Sequence, residues 1–283
     1  MEEDLLIETR ELNDYRIKVY YDTDPMCPCT DWDLTGLFLW EYTGSSSLHS
    51  KCNYKNLFGD VDNFKYSLND ALKELACLYV PQKKFIEYIN KHLDSLRFRY
   101  DRSTHLWYLE EYHTCEYNGS HWLKDYIFTP DEVKDTDIRG ELSRHLKKED
   151  FIYLLSSCQK EIAFYEWSST GYCQGDYVEG IAYCTKERFI EMVEGNTKHW
   201  RERAVSLMES DSECIGMYLW GNVKRWVLQK KQTFKKVYDN TDKKDEYSFE
   251  WETIESCGGN FEDTEEVIKN VIAEFNLKKE NID

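Results

Sequence analysis

At 283 residues, 41% hydrophobic and 15% aromatic, the chain carries enough apolar mass for one large domain or two ordinary ones, which excludes a disordered polypeptide. Its formal net charge of −18 excludes general nucleic-acid binding, which is built on clustered Lys and Arg and on counterion release. No run approaches the roughly 20 apolar residues of a membrane span, and the acidic start MEEDLLIETRELND lacks the basic and apolar regions of an export signal, so a cytoplasmic protein is expected.

In chain order, Tyr15–Tyr21 (YRIKVYY) alternates as a strand, and Thr35–Tyr42 (TGLFLWEY) reads as a second, more buried one. Two prolines in the intervening DTDPMCPCTDWD predict an ordered loop. Its Asp22, Asp24, Asp31 and Asp33 suit turn chemistry and also offer the oxygen ligands a hard cation wants, although their spacing matches no Ca²⁺ loop. Thr43–Asn53 reads as a polar loop and Leu57–Tyr66 as a transition. Ser67 or Asn69 can cap a helix whose Leu68, Leu72, Leu75, Ala76 and Tyr79 share one face, ending before Pro81. A second helix after Pro81 carries Phe85, Ile86, Ile89 and Leu93 on one face.

Leu96–Tyr117 returns to alternation, as a hairpin turning near Asp101–Thr104. His105, His113, Cys115 and His121 are the densest set of soft ligands in the chain, and on a strand His113 and Cys115 share a face. Zinc is geometrically conceivable there, but no zinc signature matches and the aromatic neighbours suit half-buried histidines. Asn118–Lys148, loop-rich and charged, is the expected boundary between halves, with Thr129-Pro130-Asp131-Glu132 opening a short helix. Phe151–Cys158 is a short helix or strand.

The rest of the chain is organised around Ile162–Phe189, two apolar strands joined by a Gly/Ser/Asp connection and leading into a helix capped by Thr185. Gly171, Gly175 and Gly180 mark turns or a close backbone approach. Helices follow over Lys186–Glu194 and Lys198–Glu209, broken at Gly195-Asn196. Cys214–Val227 holds two glycines among large apolar residues and becomes a strand through Tyr238.

Charge is unevenly spread at the C-terminal end. Between Asn222 and Tyr238 stand Lys224, Arg225, Lys230, Lys231, Lys235 and Lys236 with no acid, whereas Asp239–Asp283 holds 14 acidic and 5 basic side chains, a net −9 that is half the charge of the chain. A hairpin pairing QKKQTFKKVYD with EYSFEWETIES across NTDKKD would oppose the two signs. Asp263-Thr264-Glu265-Glu266 then opens a last helix with Val267, Ile268, Val271, Ile272 and Phe275 as its buried stripe.

No phosphate-cradling glycine loop, nucleophile elbow or H-E-x-x-H helix is present. The ten cysteines, without a C-x-x-C pair, read as buried thiols, Cys173 and Cys184 among them. Glu110-Glu111 and Glu265-Glu266 are adjacent and so point apart instead of forming an acid/base pair. The expected fold is α+β, mostly antiparallel sheets with helices packed on one face, in two subdomains, 1–148 and 149–283.

Four ordered segments, YDTDPMCPCTDWDLTGLF, WSSTGYCQGDYVEGIAYCTKERF, MYLWGNVKRWVL and WETIESCGGNF, resemble an uncharacterised group of proteins encoded by bacteriophages, prophages and plasmids. The resemblance implies a mobile-element setting, in which accessory proteins often block nuclease-based host immunity by direct binding. A Gabija-type nuclease complex is one such target. It supplies no catalytic residues and no cofactor. With 21 Tyr and 9 Trp in an acidic chain, the expectation is a non-enzymatic inhibitor that binds a host defence complex by DNA mimicry or by blocking DNA access. Asp245, Glu246, Glu250, Glu252, Glu255, Glu262 and Asp263 are its expected partner-contacting carboxylates. The alternative is a metal-dependent or small-molecule enzyme using the Asp22–Asp33 loop or the His105–His121 cluster. A structural or replication-associated phage protein, and a homo-oligomer, also stay open.

Overall fold

A computed structural model describes residues 5–43, 67–115, 119–158, 161–171, 177–193, 197–236 and 246–277. The fold is α+β, built on three antiparallel sheets. The loop Thr43–Asn53 from Gly44 on, the Leu57–Tyr66 transition, Gly175, Gly195-Asn196 and the NTDKKD turn lie outside the described residues.

The central sheet has the order β3-β8-β7, with β3 at Leu37–Thr43, β7 at Ile162–Thr170 and β8 at Tyr177–Thr185. Its strands are apolar in near-continuous runs because both faces are covered. On one face Leu39, Ile162, Ile181 and Tyr183 pack against helices α2 (Leu68–Tyr79) and α6 (Lys148–Cys158). On the other, Phe38, Trp40, Trp167, Val178 and Ala182 pack against α7 (Lys186–Met192) and α8 (Trp200–Leu219). Gly180 is the close approach foreseen on β8. A Cβ there would stand 2.3 Å from the Leu39 carbonyl oxygen and 2.6 Å from Trp167 Nε1.

Two outer sheets flank this core, each covered by helices on one face. In the four-stranded sheet β1-β2-β9-β10, β1 is Leu6–Leu12, β2 Tyr15–Tyr21, β9 Lys224–Lys236 and β10 Glu246–Asn260. The last helix, α9 (Thr264–Glu274), seals Ile17, Val19, Trp226 and Leu228 with Val267, Ile268 and Val271. In the sheet β4-β5-β6, β4 is Leu96–Asp101, β5 Leu106–Cys115 and β6 Gly119–Phe128. It packs Phe98, Leu109 and Phe128 against α3 (Gln82–His92) and Leu142 of the short helix α5 (Arg139–Leu142) in one cluster.

Local chemistry sets several helix starts. Ser67 and Asp70 form a reciprocal capping box on α2, and Thr129 and Glu132 form another on α4 (Pro130–Asp135). Thr185 Oγ1 accepts from the Arg188 N–H at 3.3 Å.

Four expectations need correction. Gly119–Phe128 is the edge strand β6, not loop, and β1 precedes the first expected strand. The 214–219 stretch continues α8 through Gly216, where a Cβ would meet Ser169 Oγ at 2.7 Å, so the glycine serves helix-on-strand packing and not a break. A four-residue helix, α1 (Pro28–Asp31), interrupts the loop that follows β2. Strand pairing crosses residue 148: β2 pairs with β9 and β3 with β8.

Candidate partner-binding ribbon

The segments 21–38, 167–189, 217–228 and 251–261 meet in space. Asp22 Oδ2 accepts from the Gly259 N–H at 2.8 Å, the Asp22 N–H donates to the Val223 carbonyl at 2.8 Å, and Trp32 meets Phe261 edge-on with ring centroids 4.7 Å apart. Arg188 donates to the carbonyls of Leu34 and Thr35 at 2.6 and 3.0 Å, and Trp220 Nε1 donates to Ser169 Oγ at 2.7 Å. These polar residues are consumed in tying neighbouring segments of the fold together. In the N-terminal loop, Asp22 also accepts from the Asp24 N–H and Asp31 from the Cys27 N–H, which is turn chemistry.

The far part of the β9–β10 ribbon is not consumed in this way. β2 pairs with β9 only over Lys224–Lys230, so the two strands run on past it as a two-stranded arm. Such an arm has no core of its own. Phe234 and Phe249 stand 47% and 53% exposed on it, and Ile254, at the β10 bulge in the part backed by β2, is also exposed. β10 is a 15-residue edge strand.

Register assigns its two faces different chemistry. Glu250, Glu252 and Glu255 lie opposite Gln232, Lys230 and Leu228 on the α9 side, and all three carboxylates are exposed. Lys230 opposite Glu252 realises the expected pairing of opposite signs, and the backbone register sets position 236 opposite position 246. The Gln232 amide also donates to Glu252. On the other face Lys231 lies opposite Trp251, with its Nζ 4.3 Å from the Phe249 ring centroid, and Arg16 stacks 4.5 Å from that of Trp251.

Of the seven expected contact residues, Glu250, Glu252 and Glu255 are thus brought into one row. Glu262 and Asp263, both exposed, begin the helix that covers the same face. They carry structural duties as well: Asp263 Oδ1 caps α9 by accepting from the Glu266 N–H at 2.8 Å, and Glu262 Oε2 accepts from Asn270 at 2.7 Å. Glu246 is placed on β10 by its backbone, and Asp245 lies outside the described residues. Sequence reasoning missed the aromatic half of the ribbon. Its signal was present in the alternation of Phe249 and Trp251 with Glu250 and Glu252.

The His105–His121 stretch does not gather as a unit. His105 sits in the β4–β5 turn, bonded to the Tyr100 hydroxyl at 3.1 Å, while His113 lies at the far end of β5 directly opposite His121. Glu110 and Glu111 point apart as expected. Glu110 is buried against Arg97 and Arg99, whose hydrogen bonds hold its carboxyl below the usual carboxylate range, and Glu111 bonds His113 at 3.0 Å. Burial pushes the Cys184 thiol up to about 11, which suits packing and not nucleophilic chemistry. Cys27 is buried as well, whereas Cys257 is an exposed free thiol, against the expectation for that residue.

Among the described residues no helix is long and apolar enough to cross a membrane. Comparison of the chain with protein-family models, with curated proteins and with solved structures returns no match.

Proposed function

We propose that this chain is a non-enzymatic binding protein of a phage or other mobile element that acts in the host cytoplasm, inhibiting a nuclease-type defence complex by direct contact through the β9–β10 ribbon. The observation that carries this reading is the row Glu250, Glu252 and Glu255 on a long edge strand whose neighbouring aromatics stay exposed. Alternate residues of a strand stand roughly 7 Å apart on one face, so the carboxylates form a linear negative track beside apolar anchors. That combination suits a basic surface that otherwise holds DNA, either by imitating the phosphate backbone or by covering its path. The four-motif resemblance supplies the mobile-element setting.

The test is protection. A phage carrying the gene should plate on a host armed with a Gabija-type or related nuclease system, and the same phage encoding Glu250→Lys, Glu252→Lys and Glu255→Lys together should not. Equal plating of the two phages on every defended host would remove the proposal.

A further inference from the structure

The face of the four-stranded sheet turned away from α9 carries the opposite chemistry to the carboxylate row. Ile17, Val19, Trp226 and Leu228 are sealed under α9, so alternation turns Arg16, Lys18 and Tyr20 of β2, and Arg225, Gln229 and Lys231 of β9, to the other side. β10 adds Trp251 opposite Lys231 and Thr253 opposite Gln229. Two carboxylates border this face: Glu11, opposite Arg16 in register, and Asp22, whose Oδ2 is engaged by the Gly259 N–H at 2.8 Å. In a chain with 54 acidic and 36 basic side chains, cations should be taken up by carboxylates. Among the described residues, however, Arg16, Lys18 and Lys231 lie in no ion pair.

These side chains are held as a platform. Arg16 Cζ stands 4.5 Å from the Trp251 ring centroid, Arg16 Nε donates to Gln229 Oε1 at 2.6 Å, and Gln229 Nε2 donates to Thr253 Oγ1 at 3.2 Å. A guanidinium held over an indole presents its outer plane to a further flat ring and its remaining N–H groups to an anion. Beside it opens a cavity of about 350 Å³ lined by Tyr20, Arg225, Val227, Gln229, Thr253 and Ser256. Arg225 Cζ lies 5.0 Å from the Tyr20 ring centroid at this cavity. Its volume falls in the range of ligand pockets, and its walls combine a cation, an aromatic ring, an amide and two hydroxyls. That set matches a nucleotide, which offers a phosphate, a flat base and donor and acceptor groups along the base edge.

We propose that this face binds single-stranded nucleic acid, with Arg16, Lys18 and Lys231 meeting phosphates and one nucleotide entering the cavity beside the Arg16–Trp251 stack. Cations interleaved with rings on an open sheet face supply the two terms such binding uses, backbone attraction and base stacking. A single strand fits better than a duplex, whose bases stay inside the stack and cannot reach a cavity. An acidic peptide would satisfy the cations but offers no base to the cavity. The net charge of −18 excludes an evenly basic footprint and not a local one, because exposed charges are screened over about 8–10 Å and the row Glu250, Glu252 and Glu255 stands on the opposite side of the sheet. This assignment does not rest on the acidic face gripping a protein: the two faces use different side chains, and each reading can fail alone.

Fluorescence anisotropy of a fluorescein-labelled oligothymidylate of about 12 nucleotides, titrated with the full-length chain, tests this. Saturable binding is expected, weakening about 20-fold between about 50 and about 200 mM salt, as roughly three phosphate contacts on a single strand require. Lys18→Glu combined with Lys231→Glu should weaken it by about tenfold or more, and Trp251→Ala by about fivefold or more, each variant checked as folded by circular dichroism. The Glu250→Lys, Glu252→Lys, Glu255→Lys chain, altered only on the opposite face, should bind the oligonucleotide at least as tightly as the parent. Absence of saturable binding at the lower salt, equal or tighter binding of a duplex of the same length, displacement by polyglutamate at equal charge concentration, or unchanged affinity in the folded lysine variant would each overturn the assignment.

Discussion

Replacing Glu110 with Gln removes a charge from the most enclosed ion pair among the described residues and probes what holds the β4-β5-β6 sheet. The carboxylate is 2% exposed on the outward face of β5. Arg97 Nε donates to Oε2 at 2.7 Å, Arg99 Nε donates to the same oxygen at 2.8 Å, and Arg99 Nη2 donates to Oε1 at 3.0 Å. Arg97 is held in place by stacking 3.9 Å over Trp122. A Gln amide matches the shape, so its oxygen keeps the two Nε bonds in weaker, uncharged form while its NH₂ faces a guanidinium and loses the third. Charge-assisted bonds contribute about 1.5–3 kcal/mol each, but the arginine side chains are 37% and 44% exposed and recover hydration when the partner is neutralised. The net loss is about 2 kcal/mol, or about 3 °C in Tm for a chain of this size. The pH dependence fixes the cause. A carboxyl held below its ordinary range stabilises the fold above its unfolded value, near 4.3, and loses that contribution as pH falls through the folded value. Urea unfolding at neutral pH should therefore separate Glu110→Gln from the parent, and the two curves should converge in acid. A difference below about 0.5 kcal/mol at neutral pH, or one that persists undiminished in acid, refutes the reasoning.

Gly180→Ala should destabilise by about 3 kcal/mol or more, because its Cβ overlaps a backbone carbonyl in the central sheet, whereas Gly140→Ala, with open space around it, should be neutral or stabilising by up to about 1 kcal/mol. Both are read from urea midpoints, and the order of the two reversing would sink the account of the core. Asp263→Ala should cost about 1 kcal/mol through loss of the α9 cap, measured in the same way. Phe249→Ser should leave the unfolding midpoint within about 0.5 kcal/mol of the parent while weakening partner capture, since the ring is more than half exposed on an arm without its own core.

How far the sequence discloses this structure follows from the range of each interaction. β2 was legible to its end residues because YRIKVYY alternates, and α2 and α4 because Ser67 with Asp70 and Thr129 with Glu132 are local capping signals. β6 was not legible, because most of GSHWLKDYIF is exposed on both faces and so carries no apolar alternation to read. β1 was obscured by acidic residues at a sheet edge, and α8 by a glycine whose reason, Ser169, lies 47 residues earlier in the chain. The ribbon's charge pairing could be foreseen because a hairpin is local. The stacking of Arg16 on Trp251 could not, and neither could the bonding of Asp125 to His145 beside Glu111, since each depends on chain segments that only the tertiary fold juxtaposes.

The claim on which the functional account rests is that the β9–β10 ribbon grips a defence complex. Affinity capture from defence-bearing cells, comparing the parent with the Glu250→Lys, Glu252→Lys, Glu255→Lys chain, measures it directly. The account predicts that a nuclease-complex subunit is retained by the parent, is released by raised salt, and is absent from the charge-reversed chain. Retention of the same subunit by both chains, or of no nuclease-complex subunit by the parent, would contradict it.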